Sequence, residues 1–185
     1  MRVLAISGSL RRQSTNTYLL RALILLAPPV LEIVLYEELE QIPPFNPDRE
    51  STELEAVARF RAALRECDVV LISTPEYAHG IPGALKNALD WVVGSGELSG
   101  KPVVMVNASS RGIYAQTSIR EVLTTMDAKL LRDAEVTINI LGKDLSPEKI
   151  AETAEYSLAL KEFLSAIVGL GVDRNTTRGQ VVAPA

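Results

Sequence analysis

The segment Gly8-Ser9-Leu10-Arg11-Arg12-Gln13-Ser14-Thr15-Asn16-Thr17 gathers hydroxyls, a side-chain amide at Asn16 and the guanidinium groups of Arg11 and Arg12. Donors at this density suit a phosphate dianion, which an arginine can grip through two oxygens at once. If a helix opens here, its unpaired first amides and the positive end of its dipole add to the same site. Ser9, Arg11, Ser14, Asn16 and Thr17 are the candidate phosphate ligands. No Gly-Lys-Ser/Thr follows, and the spacing is not Gly-x-Gly-x-x-Gly, so neither a P-loop nor a dinucleotide fingerprint is present. A tightly held mononucleotide is favoured over an intact dinucleotide.

A second segment, Thr74-Pro75-Glu76-Tyr77-Ala78-His79-Gly80-Ile81-Pro82-Gly83, is shaped by its prolines and glycines and carries two flat side chains, Tyr77 and His79. Such a loop suits a planar heterocycle. Glu76 reads as a structural partner for Lys86 or a loop amide rather than as a general base. Lys86, Asn87 and Asp90 are expected to fix the following helix to this loop or to a partner chain. A third segment, Asn107-Ala108-Ser109-Ser110-Arg111-Gly112-Ile113-Tyr114, is small, polar and positively charged. Ser109, Ser110 and Gly112 are its candidate ligand contacts. No Gly-x-Ser-x-Gly elbow occurs, and His79 is the sole histidine, which argues against a serine hydrolase. One Cys and one His cannot furnish the four ligands of a structural zinc. Cys67 reads as a buried, inert thiol.

Short apolar runs alternating with amphipathic segments must position these loops. Strands are expected at Val3–Ser7, Leu31–Tyr36, Val69–Ile72, Val103–Val106 and Val136–Ile140, the last an edge strand by its alternation. The runs at 69–72 and 103–106 are apolar at every position, as in parallel strands covered on both faces. Helices are expected around Leu19–Leu26, Thr52–Arg65 (with Thr52 and Glu55 at capping-box spacing), Ala84–Val93, Ile119–Met126 and Pro147–Val168. Ser146 and Pro147 open the last of these, and Gly169 and Gly171 end it. This order implies an α/β fold with a parallel sheet between two helical layers. Ligands of such sheets sit beyond the carboxyl ends of the strands, where all three polar segments fall. The domain is expected over residues 1–168, with 169–185 a flexible tail or an arm onto a partner subunit.

At 185 residues, 47% hydrophobic and 23% charged, the chain has the composition of one globular domain. A net charge of −4 disfavours nonspecific nucleic-acid binding. No apolar run is long enough to span a membrane, and the N-terminus carries no signal-peptide pattern, so a cytoplasmic location is expected.

Gly8-Ser9-Leu10-Arg11-x-x-Ser14-x-Asn16, then Pro75-Glu76-Tyr77, then Gly80-Ile81-Pro82-Gly83-Ala84-Leu85-Lys86-Asn87-Ala88-Leu89-Asp90-Trp91, resembles the NADPH-dependent FMN reductase family over roughly Met1 to Ile167. The resemblance implies a flavodoxin-like three-layer sandwich with a five-stranded sheet in the order 2-1-3-4-5. It implies FMN as cofactor, with NADPH or NADH as co-substrate. The phosphate loop would be Ser9, Arg11, Ser14, Asn16 and Thr17. Pro75, Glu76, Tyr77, Ala78 and His79 would lie along the isoalloxazine, with Ser109 and its neighbours forming the third flavin loop. A ping-pong reaction is expected, ending on a quinone, flavin, chromate or azo compound, in a homodimer or homotetramer. The cofactor performs the chemistry, so no catalytic side chain is required. The net charge and the Arg11-Arg12 pair argue against the alternative, a flavodoxin-like electron carrier or redox-responsive flavin-binding protein. Only Gly112 stands where many family members carry a Gly-Gly pair. Arg11, Arg12 and Arg111 could each meet a coenzyme 2′-phosphate, and the sequence does not choose among them.

Overall fold

The structure, a computed structural model, describes residues 1–50, 52 and 54–178. Strands β1 (Arg2–Ser7), β2 (Glu32–Tyr36), β3 (Val69–Ser73) and β4 (Pro102–Asn107) are parallel neighbours in the order β2-β1-β3-β4. Two short strands, β5 (Lys129–Leu130) and β6 (Val136–Thr137), both pair with β4. Helices α1 (Thr15–Leu26), α2 (Glu55–Glu66), α3 (Gly83–Val93), α4 (Ile113–Thr125), α5 (Pro147–Glu152) and α6 (Ala154–Arg178) complete the fold. The 2-1-3-4-5 order holds, which makes this a flavodoxin-like sheet.

Because successive strand residues face opposite ways, each central strand feeds two cores. Val3, Ala5, Val69, Leu71, Val104 and Val106 pack with α1, α5 and α6. Leu4, Ile6, Val70, Ile72, Val103 and Met105 pack with α2, α3 and α4 around Phe60 and Trp91. The register sets Ser7 opposite Ser73 at the carboxyl edge. The chain leaves β1 toward β2 on one side and returns to β3 on the other, so the loops after β1 and β3 diverge there and open a crevice.

Four expectations need correction. The last strand is not a continuous Val136–Ile140: it is two pairings split by a 3-10 turn at Arg132–Ala134. Ile138 and Ile140 are buried all the same, with their amides bonded to Asn107 O and Ala108 O, so the alternation reported burial rather than a ladder. The capping box is absent: Leu54 is the N-cap of α2 and no side chain caps it. Helix α4 begins at Ile113, six residues before the first buried isoleucine of its apolar stripe, Ile119. The terminal helix breaks at Thr153 and then passes Gly169 and Gly171 to Arg178. A helical glycine costs about 1 kcal/mol but removes no amide, so neither glycine forces a stop. Residues 179–185 of the expected tail lie outside the described residues.

Cys67 is buried, its Sγ donating to Leu64 O at 3.3 Å, and burial pushes the thiol pKa up. Among the described residues no helix is long and apolar enough to cross a membrane.

Candidate active site

The loop after β1 is built from its own polar side chains. Ser14 caps α1, its Oγ accepting from Thr17 N at 3.4 Å. Ser9 Oγ accepts from Arg11 N at 3.3 Å. Thr17 Oγ1 and Ser7 Oγ share a proton at 2.8 Å. Asn16 Oδ1 accepts from Ser73 Oγ at 3.0 Å, tying α1 to the end of β3. Ser9 and Ser14 therefore use their lone pairs within the loop and keep their O–H protons to donate. Asn16 likewise keeps its amide nitrogen. Among the described residues the backbone amides of Arg12, Gln13, Ser14, Thr15 and Asn16 find no protein acceptor. The first turn of α1 carries no acidic residue to oppose an anion. Free amides, free hydroxyl protons and an uncompensated helix terminus fit a phosphate group.

Gly8 sets the approach of this loop to the next. Its amide donates to Ser73 O at 2.8 Å. A Cβ at this position would stand 2.2 Å from Thr74 Oγ1 and 2.8 Å from Thr74 Cβ. Gly8→Ala is accordingly expected to destabilise the fold by about 1–3 kcal/mol through overpacking. Pairing it with Thr74→Gly should recover most of that loss in denaturant titrations, and simple additivity of the two changes would refute the clash.

The loop after β3 makes a tight hairpin. Tyr77 N donates to Gly80 O at 2.9 Å and Gly80 N to Tyr77 O at 3.0 Å. Ala78 (φ 48°) and His79 (φ 58°) are both left-handed, as a type I′ turn demands. Neither is the glycine or asparagine that tolerates this cheaply, so the tip holds backbone strain of about 1–2 kcal/mol per residue. The His79 ring stacks on Tyr114 of α4, with centroids 4.2 Å apart. Glu76 Oε2 accepts from Ala115 N at 3.0 Å and so caps α4 from across the cleft. Glu76 thus has a structural partner, but it is an amide in the first turn of α4 rather than Lys86 or a loop amide.

Lys86 and Asp90 pair with each other at 2.5 Å on α3. Asn87 does anchor α3, but to the proline-rich loop after β2 rather than to the hairpin. Its Oδ1 accepts from Phe45 N at 2.7 Å and its Nδ2 donates to Pro43 O at 2.9 Å.

The loop after β4 is held from below. Ser110 N donates to Asn139 Oδ1 at 2.8 Å and Arg111 N to Ser109 Oγ at 3.1 Å. Between this loop and the hairpin lies a cleft of about 330 Å³, lined by Asn16, Thr74, Pro75, Glu76, Tyr77, Asn107, Ala108, Ser109, Arg111, Gly112, Gln116 and Leu141. Ser9, Arg11 and Thr17 line a second hollow of about 210 Å³ on the β2 side of the first loop. Ser14 sits at the head of α1. Ala78 and His79 form the hairpin tip, and Ser110 turns its amide to Asn139. The structure thus brings Asn16, Pro75, Glu76, Tyr77, Ser109 and Gly112 together around one cleft, with the phosphate-type donors beside it. Sequence reasoning missed Gln116 and Leu141. A helix start at Ile113 would have placed Gln116 on the first turn facing the hairpin, but nothing marked Leu141.

A parallel sheet in this order, with its polar loops meeting beyond the strand ends, defines the class as a flavodoxin-like fold with a ligand site at its carboxyl edge. The chain belongs to the NADPH-dependent FMN reductase family, whose sequence model matches residues 1–141. It is therefore an oxidoreductase that uses FMN, with NAD(P)H as co-substrate. It is 39% identical over 145 residues to an NAD(P)H-dependent FMN reductase of Pseudomonas aeruginosa, covering 75% of this chain and 78% of that one. It is 31% identical over 159 residues to a quinone reductase of Escherichia coli, covering 80% and 82%. Among solved structures it superposes on FerB, a flavoenzyme NAD(P)H:(acceptor) oxidoreductase of Paracoccus denitrificans, with a TM-score of 0.74 and 26% identity over 91% of this chain and 95% of that one.

Proposed function

We propose that the protein is an FMN-dependent NAD(P)H oxidoreductase of ping-pong type, in which NAD(P)H and then a small acceptor enter one cleft in turn. The acceptor class is quinone, flavin, chromate or azo compound. The observation that carries this reading is the adjacency of two features: the free amides of Arg12–Asn16 at the start of α1, and the cleft walled by Tyr77 and Ser109. Bound FMN supplies the electron-transfer chemistry.

The chain's own residues bind and orient. Ser9, Arg11, Ser14, Asn16 and Thr17 would hold the FMN phosphate through donated hydrogen bonds. Pro75, Glu76, Tyr77, Ala78 and His79 would form one wall of the ring site, and Ser109, Ser110 and Gly112 the other. Glu76 keeps the two walls at a fixed spacing, because its carboxylate is committed to α4. The strained hairpin tip is locked by the His79–Tyr114 stack. The lip of the cleft is apolar: Tyr77, Ile113, Tyr114 and Leu141 are each more than half exposed. Such a patch supports planar substrates and a homodimeric or homotetrameric assembly alike.

The test is to load the protein with FMN, remove oxygen, and add NADPH or NADH while following flavin absorbance. Rapid bleaching is expected, followed by recovery of colour on adding a quinone, and steady-state plots should give parallel lines. Bound flavin that neither nucleotide bleaches would instead favour an electron carrier. Failure to bind FMN would overturn the reading altogether.

A further inference from the structure

We infer that Arg111 holds a phosphate of the nicotinamide coenzyme and so determines which coenzyme the cleft prefers; this rests on the reading above. Two charged side chains line the cleft, Glu76 and Arg111. The Glu76 carboxylate is engaged by Ala115 N. Arg111 is exposed, and among the described residues no carboxylate lies within ion-pair distance of it. The Glu76 carboxylate is thus turned to the first turn of α4, and Arg111 lines the same cleft as Tyr77 and Leu141 with its guanidinium outside any ion pair among the described residues.

The structure separates the three arginines that the sequence leaves equivalent. Arg11 and Arg12 line the other hollow, beyond the first loop, together with Glu37 and Glu40. They stand with the phosphate loop and not at the mouth of the cleft. Of the three, only Arg111 lines the cleft that Tyr77 also lines, from the opposite wall. Its backbone is fixed on the N-terminal side by the bond of its own amide to Ser109 Oγ and by that of Ser110 N to Asn139 Oδ1. The next residue, Gly112, accepts from Gln116 N at 3.0 Å and opens α4. A guanidinium on an anchored backbone, at the rim of a substrate cleft, offers the planar pair of donors that a phosphate monoester accepts.

The test compares wild type, Arg111→Gln and Arg111→Lys as FMN-loaded enzymes. Anaerobic stopped flow gives the second-order rate constant of flavin reduction by NADPH and by NADH. Calorimetry gives the affinity of the oxidised enzyme for NADP⁺. Arg111→Gln is expected to lower the NADPH rate constant and the NADP⁺ affinity each about tenfold, the loss of one charge-assisted contact. The NADH rate should change less than twofold, and the lysine variant should recover part of the loss. An equal loss with NADH would put the guanidinium on the pyrophosphate, which both coenzymes carry, and would overturn its role in coenzyme preference. A wild type reduced by NADPH, with a glutamine variant unchanged in rate and NADP⁺ affinity, would overturn this inference alone. A wild type that neither nucleotide reduces would overturn the functional reading, and this one with it.

Discussion

Trp91→Ala is expected to cost about 4 kcal/mol and to lower Tm by about 10 °C. Trp91 is 1% exposed and fills the core between α2, α3 and the sheet. It also holds a loop. Its Nε1 donates to Pro43 O at 2.8 Å, and Phe45 meets its ring edge-on at 5.1 Å. Alanine would leave both a cavity and a half-released proline loop, still tethered by Asn87. Trp91→Phe separates the two losses: it keeps most of the volume and should cost only about 1–2 kcal/mol for the missing hydrogen bond and the imperfect fit. Thermal unfolding followed by circular dichroism reads both. A shift under about 2 °C for the alanine variant, less than the loss of 1 kcal/mol would give a chain of this length, would contradict the packing described here.

Arg11→Ala is expected to weaken FMN binding by tenfold to about a hundredfold while leaving riboflavin binding within about twofold. Arg11 is exposed beside the free amides at the start of α1, and among the described residues it has no carboxylate partner. Its charge is free for a phosphate, and riboflavin has none. Fluorescence titration of the apoprotein with each flavin measures the difference. Equal losses would remove Arg11 from the phosphate site and make its role one of loop shape.

What the sequence revealed follows from where the forces are local. β1, β3 and β4 are buried on both faces, so their apolar runs stand out, and the helices between them then order the sheet. The first loop was legible because its ligand-type residues are contiguous. The second was legible because glycine and proline mark its ends. Features set by distant partners were not legible. The start of α4 is fixed by Glu76, 39 residues earlier in the chain, while Ile113 and Tyr114 in its first turn face solvent and show no apolar stripe. Asn139, which holds the third loop, sits at a polar position of the alternating stretch Val136–Ile140, and nothing in that alternation marked it as a loop anchor. The hydroxyls of the first loop were read as ligands, but Ser9 and Ser14 also brace the loop itself, and only the hydrogen-bond directions show that their protons remain available.

The interrupted sheet edge beyond β4 has a consequence for the protein at high concentration. An intact edge strand is a template on which another copy can add its own backbone. Here that edge is two residues, Lys129–Leu130, then the turn at Arg132–Ala134, then two more, Val136–Thr137. Neither piece approaches the six or so consecutive residues that a cross-β contact requires. Arg120 and Glu135 pair at 2.5 Å beside the second piece. An intruding strand would meet a bend and an ion pair before it could extend its ladder, so this side of the sheet resists aggregation without a covering helix.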